Sequence, residues 1–117
     1  MIIGLISDTH DNLPYIKKAI IRLNEERVNL VLHAGDYISA FTAKPYAELT
    51  VPLIGVFGNN CAEIELLKRV YSEVGCDLRG YFTEVEVNGL KIALMHGHRK
   101  KDEDKANSGD YDVVVRA

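Results

Sequence analysis

Apolar and polar positions alternate in blocks along this chain. Several short apolar runs stop abruptly at polar clusters. The first rises through Ile2, Ile3, Leu5 and Ile6 and stops at Asp8-Thr9-His10. It reads as a buried strand, and its last residues place a carboxylate and an imidazole on one side of an extended backbone, since side chains alternate with period two. Asp11-Asn12-Leu13-Pro14 is a helix-start signal, because Asp and Asn cap and Pro is tolerated in the first turn. Ile16, Ala19, Ile20 and Leu23 then recur at helical spacing, which predicts a helix from Leu13 to Arg27. Asn29 to Leu32 is a second strand, ending in His33-Ala34-Gly35-Asp36.

Residues Ile38 to Leu49 read as a helix that Pro45 shortens or bends. Val51 to Phe57 is a third strand and ends in Gly58-Asn59-Asn60-Cys61. From Ala62 to Val74 the pattern is helical again: Ile64, Leu67, Val70, Tyr71 and Val74 share a side, and Gly75 is the stop. The period then changes. Tyr81 to Val87 alternates, Asn88-Gly89 follows, and Lys91 to Met95 is apolar before His96-Gly97-His98. Asn-Gly between two such runs signals a hairpin. The charged run Arg99 to Lys105 reads as a solvated loop or short helix, and Asp112 to Val115 as a start on one more strand. The order predicts an α/β protein, a parallel βαβαβα half followed by an antiparallel hairpin.

Composition narrows the class. A chain of 117 residues with 47% hydrophobic and 26% charged residues has the make-up of one globular domain. Its net charge of -3 argues against general nucleic-acid or membrane-surface binding. No apolar run approaches the ~20 residues of a membrane span. Cys61 and Cys76 have neither zinc-knuckle nor redox spacing, and with no signal peptide a cytoplasmic setting is expected. Cys76 reads as an ordinary thiol near a helix end.

Four strands thus end in Asp8-Thr9-His10, Gly35-Asp36, Gly58-Asn59-Asn60 and His96-Gly97-His98. In open α/β sheets, sites gather at the carboxyl ends of strands. Carboxylates, imidazoles and an amide oxygen meeting there suit Mn, Fe, Ni or Zn. Each residue also has a plain alternative. Asp8 can cap a turn, His10 can be a loop residue, Asn59 can hold a turn with Gly58, and His98 is either a substrate contact or a surface residue. His33 reads as core or as a support for ligands rather than a ligand. An Asp-x-Asp hydrolase signature is broken by His10, and a phosphoacceptor domain would need a Lys where His96 stands.

SDTHDN, HAGD, GNN and MHGH, in that order, resemble the calcineurin-like metallophosphoesterases, closest to the small archaeal and bacterial phosphodiesterases of that family. The resemblance covers essentially the whole chain. It implies a two-sheet sandwich flanked by helices and a site for two divalent transition metal ions. By resemblance Asp8 and His10 hold the first metal, Asp36 bridges both, and Asn59 and His96 hold the second, with a metal-bound hydroxide as nucleophile. His98 and Asn60 are the expected catalytic contacts. Asn60 and Cys61 stand where many members have His-Asp, and Asn60 cannot serve as a general acid. The family continues its last strand into Gly-His-x-His, whereas this sequence ends at Arg116-Ala117. The resemblance therefore implies an incomplete domain, with two ligands absent and a sheet edge left open. An open edge predicts a dimer or larger assembly. A phosphate-ester substrate is expected, with no need for nucleic acid or membrane. The alternative is a non-catalytic interaction module of the same fold, like the retromer subunit, or an inactive remnant of that fold.

Overall fold

The computed structural model describes residues 2–7, 12–35, 43–58 and 64–116. Four parallel strands form the first sheet in the order β1 (Ile3–Ile6), β2 (Leu30–His33), β3 (Leu53–Gly55) and β4 (Cys76–Leu78). The second sheet holds β5 (Phe82–Val87), β6 (Leu90–Met95) and β7 (Val113–Val115), with β5 antiparallel and β7 parallel to β6. The described helices are α1 (Leu13–Glu25), α2 (Ile64–Glu73) and α3 (Lys100–Ser108), and a short 3-10 turn at Lys44–Glu48 lies between β2 and β3. The two-sheet sandwich flanked by helices is the architecture expected.

Period-two alternation builds its layers. On β2, Val31 packs with α1 and α2 residues such as Ile16, Ile20, Leu67 and Tyr71 on the outer face of the first sheet. Leu30 and Leu32 point the other way, against Val85, Ile92 and Leu94 of the second sheet. Ala93 and Met95 alternate with Ile92 and Leu94 and meet Ala106 of α3 on the far side. Burial of these faces is the main favourable term, about 25 cal/mol per Å² of apolar surface removed from water.

Local signals account for the element ends. The Asn12 side-chain oxygen accepts a 3.1 Å hydrogen bond from the Tyr15 N–H, and Pro14 sits in the first turn of α1. The helix stops at Glu25, two residues before the sequence pattern implies, as Arg27 turns to φ +53°. Asn88 and Gly89 both have positive φ, +51° and +81°, the type I′ geometry that matches the twist of a hairpin.

Two expectations are refined. Cys76 follows closely on the end of α2, near a helix end as expected, and is also the first residue of β4, buried against the α2 side of the core. Of the two readings of the run after His98, the short helix holds. It is the nine-residue helix α3, with Asp102 and Ala106 buried.

Candidate metal centre

The parallel registers bring three strand ends into line. Ile6 lies beside His33, and His33 beside Gly55. Backbone bonds carry the alignment past the strands, from Ala34 N–H to the Ile6 carbonyl at 2.9 Å and from Val56 N–H to the His33 carbonyl at 3.1 Å. Beyond them the chains at Gly35 and Gly58 touch. A Cβ built on Gly35, whose φ is +108°, would stand 2.6 Å from the Gly58 nitrogen. Only glycine allows two backbones this close at that φ.

Asp8, His10, Asp36, Asn59, Asn60 and Cys61 lie outside the described residues. The residues that precede Asp8, Asp36 and Asn59 are described. Ser7, Gly35 and Gly58 are the last described residues at three adjacent strand ends. The arrival of the hairpin completes the set. His96, at the end of β6, donates from Nδ1 to the Ala34 carbonyl at 2.9 Å. That bond ties the end of the second sheet to the end of the first. It also fixes the tautomer, so the neutral imidazole carries its lone pair on Nε2. Metal-ligating histidines are held in this way, by a backbone carbonyl on the other ring nitrogen.

His33 behaves differently. It is fully buried, and its Nδ1 accepts a 3.0 Å bond from the Gly35 N–H. Its ring meets Tyr46 edge-on, with centroids 6.3 Å apart. It braces the turn leading to Asp36 and is a support, as the sequence suggested. His98 is exposed, with its ring centroid 5.4 Å from that of His96 and 5.8 Å from that of Tyr81. Tyr81 continues the contact to Phe57, next to Gly58. A cleft of about 230 Å³ opens at the same end, lined among others by Ser7, Tyr15, Ala34 and Arg116. No cluster of three or more His, Cys, Asp or Glu forms among the described residues.

A family model for the calcineurin-like phosphoesterase superfamily domain matches residues 1–116. This chain belongs to that superfamily. It is 41% identical over 120 residues to phosphodiesterase MJ0936 of Methanocaldococcus jannaschii, an alignment spanning 98% of this chain and 70% of the relative. It also superposes on the solved structure of an archaeal phosphodiesterase with a TM-score of 0.91 and 39% identity, over 99% of this chain and 72% of that one. Vps29 of Entamoeba histolytica, solved with zinc, shares the fold with a TM-score of 0.63 at 19% identity, over 99% of this chain and 63% of that one. Calcineurin-like phosphoesterases use divalent metals, and the donors at these strand ends are of the kinds such ions take.

Reading the sequence for ligands missed one pair near this centre. Arg99 follows His98 directly, and its guanidinium lies 4.7 Å from the centre of the Tyr81 ring. Its Nε is 3.6 Å from a carboxylate oxygen of Asp102, which is only 4% exposed. The available signal was the i,i+3 spacing of Arg99 and Asp102 inside the charged run.

Proposed function

We propose that this chain is a metal-dependent phosphodiesterase acting through two divalent transition metal ions, Mn, Ni, Fe or Zn. Asp8 and His10 would hold the first, Asp36 would bridge, and Asn59 and His96 would hold the second. The observation that supports the reading is the His96–Ala34 bond, which brings the His96 ring to the end of β2, beside the strand ends whose sequence continues into Asp8, Asp36 and Asn59. Two such ions, when bound, supply charge neutralisation and an activated water. The chain's own residues do the rest. His33 and the Gly35–Gly58 contact hold the strand-end turns in register. His98, exposed beside His96, and Asn60 contact the phosphoryl oxygens or the leaving group. Phosphoryl transfer asks mainly for such positioning and charge stabilisation. Asn60 supplies no proton at neutral pH, which favours good leaving groups. A free, buried Cys76 supports a reducing, cytoplasmic setting.

The test is bound metal by mass spectrometry, then hydrolysis of bis(p-nitrophenyl) phosphate with added Mn or Ni, for the wild type and for Asp36→Asn. A loss of hydrolysis in the variant is expected. Equal rates would remove the enzymatic reading.

One observation favours a second role, a non-catalytic interaction module that assembles with copies of itself. The edge strands β1 and β7 carry exposed apolar residues, Leu5 at 60%, Val113 at 42% and Val114 at 41%. The other two edges carry charges, Asp77 on β4 and Glu84 and Glu86 on β5. Charged edges resist pairing with another chain and apolar ones invite it.

A further inference from the structure

Arg99 sits where local rules disfavour it. It occupies the cap position of α3 and makes no side-chain cap bond. Ser, Thr, Asp or Asn is preferred there, and a positive charge at a helix N-terminus opposes the helix dipole. Asp102 stands in the first turn of α3, where the helix dipole favours a carboxylate, but it is buried and needs a counter-charge. Each accounts for the other. Asp102 forms an ion pair with Arg99, 3.6 Å from its Nε, and Tyr81 supports the guanidinium from its ring face. Among the described residues, Asp102 is the only carboxylate that pairs with Arg99. Its two terminal nitrogens form a planar fork of the kind that suits a phosphate. Tyr81 links that fork by ring contacts to His98 and thence to His96. A local rule broken next to a site, as at Arg99, points to function.

We propose that Arg99 is an anion-binding residue of this centre that takes a second phosphate carried by the substrate, away from the phosphate being cleaved. Asp102 is its positioning residue. The inference rests on the phosphodiesterase reading and narrows its substrate class to phosphodiesters bearing a further phosphoryl group.

The probes are thymidine 5′-monophosphate and thymidine 3′,5′-bisphosphate, titrated calorimetrically into the Mn-loaded protein. This readout needs no turnover, so it is separate from the hydrolysis test of the phosphodiesterase reading. The wild type is expected to prefer the bisphosphate by roughly tenfold or more, the size of one charge-assisted contact. Arg99→Met alone would strand the Asp102 charge, so the main variant is Arg99→Met with Asp102→Leu, and Arg99→Lys is the second. The preference should vanish in the double variant and fall several-fold in Arg99→Lys, while affinity for the monophosphate changes much less. A purely structural role would weaken both ligands alike. Equal affinity for the two probes in the wild type, or a preference retained in both variants, would overturn the proposal.

Discussion

Gly35 and Gly58 touch backbone to backbone at the carboxyl ends of β2 and β3. A Cβ on Gly35 would meet the Gly58 nitrogen at 2.6 Å and its Cα at 2.9 Å, at a φ of +108°. Gly35→Ala therefore combines an unfavourable backbone conformation with a clash that no side chain can relieve. Conformational strain alone costs about 1–3 kcal/mol, and the clash adds to it. Gly75 is the control, since its φ is +87° but nothing lies within 4 Å of the position a Cβ would take. Gly75→Ala should cost only the conformational strain of about 1–3 kcal/mol, with no clash added. Urea unfolding of the two variants checks the order, and Gly35→Ala should also lower metal uptake. Equal midpoints would mean that the close approach contributes nothing.

His33 supports the same turn from beneath. Its Nδ1 accepts the Gly35 N–H inside a fully buried site. His33→Phe keeps an aromatic ring beside Tyr46 but removes the acceptor. An unsatisfied buried N–H costs about 1–3 kcal/mol. The expected result is a folded protein with a lower urea midpoint and weaker metal binding, read by competition with a chelator. His33→Asn, which can offer an oxygen to the same N–H, should recover part of the binding. A His33→Phe variant with wild-type metal affinity would show that the brace does not matter.

Much of this arrangement was legible in the sequence, for physical reasons. Asn88-Gly89 named its turn because both residues accept positive φ. The α2 side containing Leu67 and Tyr71 showed itself by helical spacing, and both are buried. The strand-end clusters stood out because apolar runs stop dead at polar residues. β4 was not legible. It has three residues, and Asp77 interrupts its apolar pattern, so Cys76 reads only as a thiol near a helix end and not as the start of a strand. The packed side of α3 was hidden because only Asp102 and Ala106 are buried in nine polar-looking residues. Arg99 was invisible among like residues, since charge in a charged run carries no contrast.

The unprotected edges yield a prediction about assembly. Val114 is exposed on β7, and no charged residue interrupts Val113–Val115. Light scattering after size exclusion should show the wild type associating as concentration rises. Val114→Lys places a solvated charge on the edge, where 41% exposure can accommodate it. That variant should remain monomeric with an unchanged circular dichroism spectrum. A wild type that stays monomeric at every concentration would remove the self-association reading while leaving the phosphodiesterase reading intact.

Cys76 makes stability depend on alkaline pH. Burial against the α2 side of the core pushes its thiol up to about 12 from an ordinary value of 9.0. Below pH 9 the thiol is neutral in both the folded and the unfolded chain, so its contribution is constant. Between about 9 and 12 the unfolded chain loses this proton and the folded one keeps it. The unfolded state then gains, and stability falls as pH rises. Cys76→Ala removes the group and should flatten that part of the profile, so the gap between wild type and variant narrows or reverses from pH 8 to pH 10.5. Urea midpoints of both proteins over this range provide the measurement. The same burial predicts that iodoacetamide at pH 8 leaves Cys76 unmodified in the native protein and alkylates it once urea unfolds the chain, as peptide mass mapping would read. Parallel pH profiles for the two proteins, or native alkylation of Cys76, would contradict the buried, neutral thiol.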